Sequence, residues 1–277
     1  MSIFHAIILG IVQGLTEFLP VSSSGHLVLL QKIFGISEPT LFFDTMLHTG
    51  TLVAVFAVLW KDIWEILKKI IQPLTGFLII ATIPAVIAAL AFGDIIEHAF
   101  ETGQFLGFSF LITTVLLVTA ELLSRRSVNK QLDPNINPEP PKEKSMNWRF
   151  ALFIGFMQAV AILPGISRSG ATISGALSCK LNRDFAARFS FILSIPAILG
   201  AVVLQTKDLL KGQETSGEGI GVIAVIAGTI AAAIVGFFAV KLMLKIIRER
   251  SLYGFAIYTG VLGILVIIDQ FVTRLVF

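Results

Sequence analysis

Residues 155–174 read GFMQAVAILPGISRSGATIS. An apolar helical run breaks at Pro164-Gly165, a dipeptide that punctuates helices, and gives way to a short polar loop holding Ser167, Arg168, Ser169 and Thr172. The chain then turns apolar again. An arginine flanked by hydroxyls, between two apolar segments too short to cross a bilayer, predicts an anion site at membrane depth. Residues 10–29, GIVQGLTEFLPVSSSGHLVL, form a partner stretch. A shift of 145 residues lays Gly10 on Gly155, Gln13 on Gln158, Ser22 on Ser167, Ser23 on Arg168, Ser24 on Ser169 and Gly25 on Gly170. A slip of one residue brings Leu19-Pro20 onto Leu163-Pro164. The rest of the chain reads as scaffolding for these two loops.

The 277 residues are 55% hydrophobic and 14% charged, well short of the roughly 25% charged residues of soluble domains. This composition predicts an integral membrane protein. A single cysteine, Cys179, excludes a disulfide within the chain and a cysteine-based metal cluster. The first apolar run lacks the basic start and small-residue end of a cleaved signal and reads as part of the mature fold.

A spanning helix needs about 20 apolar residues. Ile3 to Gly14 and Gly25 to Phe34 are each too short, so residues 3–34 read as one re-entrant hairpin. Residues 150–181 read as a second, built from Phe150 to Leu163 and Gly170 to Leu181. Non-helical backbone at such depth survives only when buried in protein or lining a wet cavity. Six spans complete the layout: Leu41 to Trp60, Leu74 to Phe92, Gln104 to Leu123, Phe185 to Leu204, Gly219 to Val240 and Leu252 to Val272. The fold class is an all-α polytopic membrane protein, with residues 1–123 as a first repeat, 124–149 as a basic, Pro-rich, mobile cytoplasmic linker, and 150–277 as a second repeat.

Charge sets the orientation. Linkers on one side hold fifteen Lys and Arg and those on the other hold four, with Arg168 and Arg188 left at membrane depth. By the positive-inside rule the fifteen face the cytoplasm, and both termini lie outside. Each half is then one hairpin plus three spans, an odd number, so the halves insert upside down relative to each other. Their broken helices meet near the midplane. Eight ordinary helices would require runs of 10–12 residues to span, which their length forbids.

Glu17 stands in an apolar run four residues after Gln13, on the same helix face. Ionisable groups inside membranes are costly and functional by default. It could bind a divalent cation, act as a general base or orient His26, which follows the serine cluster. Ser–His with a carboxylate matches an activated nucleophile. Arg168 suits phosphate, since a guanidinium pairs bidentately with its oxygens, and the helix beginning near Gly170 adds N–H donors. An ion pair with Glu17 is the structural alternative. Arg188 reads as a second phosphate contact or, through Asp184, an interfacial anchor. Asp44 and His48, one turn apart, face either the cavity or a polar packing interface. No P-loop, dinucleotide fingerprint, zinc pair or nucleic-acid motif is present.

QGLTEFLPVSSSGH and LPGISRSGATISG resemble the two signature motifs of the bacterial undecaprenyl-diphosphate phosphatase family, also called the bacitracin-resistance family. The resemblance covers essentially the whole chain, including AARFSFILSIPA. The family's first motif carries Glu or Gln, three residues, then Glu, and this chain has the Gln form, Gln13 and Glu17. The resemblance implies an enzyme of the bacterial inner membrane that hydrolyses undecaprenyl diphosphate and recycles the carrier lipid of cell-wall synthesis. It implies a divalent cation, Mg2+ or Ca2+, for which Glu17 is the candidate ligand, and an active site opening to the outer face. Carried onto this chain, it makes Glu17, Ser23 (or Ser22), His26 and Arg168 the catalytic set. Ser167, Ser169 and Thr172 complete the phosphate loop, with Gln13, Ser22 and Arg188 as further substrate contacts. The expected partners are a polyprenyl diphosphate and membrane lipids, without nucleic acid, and a homodimer is one assembly left open. Two mechanisms follow. In one, Ser23, helped by His26 and oriented by Glu17, attacks phosphorus. In the other, His26 or Glu17 activates a water. A lipid-phosphate transporter and a non-catalytic lipid-binding protein are the other classes considered.

Overall fold

The computed structural model describes residues 1–36, 41–131, 145–210 and 220–277. Among them every regular element is helical. The first part of the chain forms α1 (Ile3–Thr16), α2 (Ser23–Ile33), α3 (Leu41–Val58), α4 (Trp60–Lys68), α5 (Pro73–Ala91), α6 (Gly93–Thr102) and α7 (Leu106–Gln131). The second forms α8 (Trp148–Val160), α9 (Arg168–Ser178), α10 (Arg183–Leu210), α11 (Val222–Glu249) and α12 (Tyr253–Ile268), which runs into a π-helical turn at Asp269–Thr273.

Five stretches are long and apolar enough to cross a bilayer: Pro73–Ala91, Leu106–Ser124, Arg183–Leu204, Val222–Glu249 and Tyr253–Thr273. Their outward faces carry Ile79, Leu90, Val115, Ile230 and Ile257, all exposed, as a lipid-facing surface requires. The molecule is a multi-pass membrane protein.

The stretch from Leu41 to Trp60, expected as a span, is helical as far as Val58. α3 stops at Val58, and the chain turns by 80° into α4. The reason is that α4 is amphipathic: Ile63 is buried in the core while Trp60, Trp64 and Leu67 stand exposed, so one face packs and the other does not. The acidic linker after α5 is likewise a helix, α6, closed by Gly103 at φ +64°. Glycine accepts that left-handed conformation without steric cost. Three helices outrun the spans expected of them, α10 among them, which continues to Leu210. α7 continues to Gln131 and α11 to Glu249, so Lys241, Lys245 and Arg248 extend a helix instead of forming a linker. The Pro-rich linker segment at 132–144, its expected mobility, Lys211 and the Gly219 start of the fifth expected span lie outside the described residues.

The short helices are held by close approaches. α1 lies on α11, where a methyl group added at Gly10 would strike the Gly228 carbonyl. α8 lies on α5, where one added at Gly155 would come 2.6 Å from the Ala81 carbonyl oxygen. Without a hydrophobic force between helices in lipid, such small-residue contacts let backbones pack by van der Waals attraction. α9 is buried from Ser169 to Leu177, packed among α7, α8 and α10. Its Ile173, Ala176 and Leu177 belong to the main core with Phe18, Leu117, Ile154 and Phe189. The backbone breaks before α2 and α9 are therefore enclosed by protein, where their freed polar groups can find partners.

Candidate active site between two broken helices

The two loops have the same construction. α1 ends at Thr16 with Glu17 as its cap, and Pro20 prevents the helix from resuming at once. α2 then starts behind Ser22, whose hydroxyl accepts from Gly25 N–H at 3.2 Å. In the second loop Gly165 takes φ +89°, and Ser167 accepts from Gly170 N–H at 3.0 Å. Both serines are N-caps, satisfying donors that a helix start leaves open. Ser22 and Ser24 hydroxyls lie 3.3 Å apart, and those of Ser167 and Ser169 3.2 Å apart. The loops touch: Ser169 Oγ donates to the Leu19 carbonyl at 3.0 Å, and no side chain fits at Gly25 because the Gly165 backbone abuts it. Two helix N-termini, each a natural anion site, thus converge.

Between them is a cavity of about 180 Å³ lined by Glu17, Ser22, Ser23, Ser24, His48, Gln158, Ser167 and Arg168, with apolar walls that include Ala85, Phe100 and Ile166. Glu17 is its hub. Its carboxylate is buried, and one oxygen takes the Arg168 guanidinium. The other accepts from Ser23 Oγ at 2.6 Å and Gln13 Nε2 at 2.9 Å, and stands 3.1 Å from His48 Nδ1. Gln13 Nε2 also lies 2.8 Å from His48 Nδ1, and its buried Oε1 has no partner.

The residues expected from the sequence divide into three groups. Gln13, Glu17, Ser22, Ser23, Ser167 and Arg168 gather at or beside the cavity. Ser169 and Thr172 shape the second loop from behind. Thr172 Oγ1 lies 2.5 Å from Ser190 Oγ and donates to the Arg168 carbonyl at 2.8 Å. His26 and Arg188 are turned away. His26 Nδ1 meets the Ser22 carbonyl at 2.6 Å and Nε2 meets the Tyr258 hydroxyl at 2.7 Å. The expected arrangement in which His26 serves Ser23 is therefore not formed; the carboxylate of Glu17 contacts Ser23 directly. The Arg188 guanidinium is held by Asp62 at 2.8 Å and Asp184 at 2.9 Å, which is the anchor geometry. Asp44 accepts from Gln31, so of the pair on α3 only His48 lines the cavity. Gln158 and Tyr258 were not among the expected site residues. The 145-residue register already pointed to Gln158 through Gln13, while nothing in the sequence singled out Tyr258.

The donor set bears on the expected divalent cation. Mg2+ and Ca2+ select oxygen ligands, chiefly carboxylates. Here the cavity offers one carboxylate, already facing a guanidinium and hydroxyl and amide donors. Among the described residues no three of His, Cys, Asp or Glu gather as a metal site. These residues do not form a protein-held cation site.

Fold and site together define a polytopic membrane protein with a polar cavity, in which a hydroxyl, a carboxylate and an arginine meet between two broken helices. The model of the family described as bacitracin resistance protein BacA matches residues 6–265, and the chain belongs to this family. It is 46% identical to an undecaprenyl-diphosphatase of Carboxydothermus hydrogenoformans over 270 residues, 98% of each chain. It is 43% identical to undecaprenyl-diphosphatase 3 of Bacillus cereus over 271 residues, again 98% of each. An undecaprenyl-diphosphatase of Alkaliphilus metalliredigens is 41% identical over 290 residues, covering 97% of this chain and 98% of its own.

Proposed function

We propose that this chain is an undecaprenyl-diphosphatase, a hydrolase that converts undecaprenyl diphosphate and water to undecaprenyl phosphate and inorganic phosphate. It thereby returns the carrier lipid of peptidoglycan synthesis to use and opposes bacitracin. The observation that carries the reading is the contact of Ser23 Oγ with Glu17 at 2.6 Å, opposite Arg168, in a chain 46% and 43% identical to relatives bearing that name.

The diphosphate enters the cavity and exchanges ion-pair partners. Its oxygens take the Arg168 guanidinium, bidentate as phosphate favours, and Glu17 is released from its cation. Freed of that charge, Glu17 becomes the stronger base and accepts the Ser23 proton. Ser23 Oγ bonds to the terminal phosphorus, the bond from phosphorus to the bridging oxygen breaks, and undecaprenyl phosphate leaves with that oxygen. Glu17 passes the Ser23 proton to the departing lipid phosphate and is a carboxylate again. It then takes a proton from a water that attacks the phosphoserine, the bond from phosphorus to Ser23 Oγ breaks, Ser23 Oγ takes that proton from Glu17, and phosphate departs. Arg168 and the N–H groups at the starts of α2 and α9 offset charge in the transition state. A divalent cation held by the diphosphate itself would offset part of its charge.

The same proposal extends to topology: a sixth span at α3, an inverted repeat, a cytoplasmic 124–149 linker, termini outside, and a cavity open to the outer face of the cell membrane. Exchange of contacts between halves supports the repeat. α1 lies on α11 as α8 lies on α5, and α3 meets α11 as α10 meets α5. Thr114 and Thr259, one register apart, bond each other at 2.8 Å, as residues beside a two-fold axis would. Phe100, on the acidic helix α6, lines the cavity, which supports the outward opening.

The test is phosphate release from undecaprenyl diphosphate by purified protein in detergent, with Ser23→Ala beside it and acid-quench trapping of a phosphoenzyme. Turnover with a serine-linked phosphate in wild type alone supports the mechanism. Near-normal turnover by Ser23→Ala would reassign attack to water.

A further inference from the structure

We propose that Tyr258 is a positioning residue for the reaction, acting through His26, and that His26 holds the Ser23 backbone and transfers no proton in the reaction. The inference rests on the phosphatase reading for its kinetic consequence, and on contacts alone for its structural one.

Ser22 has φ +71°, a region disfavoured for residues with a side chain. Such a conformation persists only where surrounding contacts over-determine it. Here the contacts come from His26. Its backbone N–H donates to the Ser22 carbonyl at 3.2 Å, and its Nδ1 reaches the same oxygen at 2.6 Å. A carbonyl only accepts, so Nδ1 carries the hydrogen. A neutral imidazole then has a bare Nε2, which needs a donor. The Tyr258 hydroxyl, 2.7 Å away, is that donor. Tyr258 thus selects the tautomer that lets His26 hold Ser22. The rings of His26 and Tyr258 stack with centroids 5.7 Å apart, and Phe110 meets the imidazole edge-on at 5.5 Å, which fixes the ring plane.

The Ser22 carbonyl and the Ser23 N–H belong to one planar peptide unit. Pinning the oxygen therefore fixes the plane and the start of the Ser23 side chain, whose hydroxyl meets Glu17. The second loop carries a parallel device. Thr113 of α7 donates to the Gly165 carbonyl at 3.1 Å and accepts from Ser167 N–H at 3.0 Å. Thr113 and Tyr258 are one 145-residue register apart. Each loop is thus braced by equivalent positions on α7 and α12, directly in one case and through His26 in the other.

The experiment pairs kinetics with histidine 15N NMR. Asparagine can mimic Nδ1–H and glutamine Nε2, so His26→Asn keeps the donor to Ser22 while His26→Gln does not. Misplacing a reacting group by about 1 Å can cost 100-fold. His26→Gln and His26→Ala should thus fall about 100-fold, and His26→Asn less than about 10-fold. Tyr258→Phe should lose about 10-fold in kcat with KM held within about twofold, and should add nothing in the His26→Asn background. In protein labelled with 15N-histidine, the His26 signals, identified by their loss in His26→Asn, should report a single Nδ1–H tautomer in wild type and a mixture in Tyr258→Phe. His26→Asn as inactive as His26→Ala, with an unchanged melting temperature, would make His26 a proton carrier and overturn the proposal. An unchanged His26 spectrum in Tyr258→Phe would remove Tyr258 from it. If wild type released no phosphate, the phosphatase reading would fall while the spectra still decided the bracing.

Discussion

The two loops share a frame and differ in cargo. Ser22 and Ser167 cap their helices through Gly25 and Gly170 with bonds of 3.2 and 3.0 Å, and the residue that opens each helix is Ser23 in one and Arg168 in the other. A repeated frame brings two helix starts to one cavity, and substitution within the frame makes them different, one bearing the hydroxyl and the other the cation. Glu17 belongs to the first loop alone; its register counterpart is Ile162. It is the carboxylate that joins the two by accepting from both Ser23 and Arg168. Symmetry explains how the parts converge, and its breaking explains why they can react.

The largest effects should come from severing that join. Arg168→Gln leaves a buried carboxylate without its cation, which for buried pairs costs about 3–5 kcal/mol. Because Arg168 is 21% exposed, the lower end is expected, with turnover down by roughly 10³-fold. Glu17→Gln should be as inactive but less destabilised, since water reaches the orphaned arginine. The double variant Glu17→Gln/Arg168→Gln should recover melting temperature and no turnover. Recovery of turnover would mean that the pair is structural, and melting curves beside phosphate release distinguish the outcomes.

Next come the close approaches that position the loops. Gly10→Ala and Gly155→Ala drive a methyl group into the Gly228 and Ala81 carbonyls respectively, and overpacking of this kind costs about 1–3 kcal/mol. Both should lower melting temperature, and turnover with it, while Gly76→Ala and Gly200→Ala, which meet open space, should be neutral. Unequal losses at Gly10 and Gly155 would show that the halves do not share the load. A smaller effect follows at the caps: Ser22→Ala and Ser167→Ala should each cost about 1 kcal/mol of stability. Equal melting shifts would extend the likeness of the frames to their energetics.

Much of this comparison was legible in the sequence because it rests on local rules. Pro20 and Pro164-Gly165 break helices, Ser22 and Ser167 restart them, and α1 and α8, at 14 and 13 residues, cannot span. What was not legible depends on how helices rotate against one another. Spacing allowed His26 to face Ser23, yet the imidazole turns to Tyr258, a residue far along the chain whose approach is set by α12 packing on α7. His48 reached the cavity and Asp44 did not, although one helical turn separates them. The bend at Leu59 is not legible in an apolar count, which does not register that Trp60 and Trp64 belong to an exposed face.

Arg188 is the smallest test and bears on the same limit. In the sequence it reads as a second phosphate contact or, through Asp184, an interfacial anchor. The two arginines differ in what faces them: Arg168 meets a buried carboxylate across a cavity, whereas Arg188 meets Asp62 and Asp184, each about one-third exposed. Exposed pairs contribute about 0–1 kcal/mol, and this guanidinium lies outside the cavity lining. Arg188→Ala should therefore keep KM and turnover within about twofold and shift melting by less than Arg168→Gln does. A rise in KM with stability intact would mean that the bound state draws Arg188 from its carboxylates onto phosphate. The second loop would then have an anion-binding neighbour on α10 in addition to its contacts with the first loop.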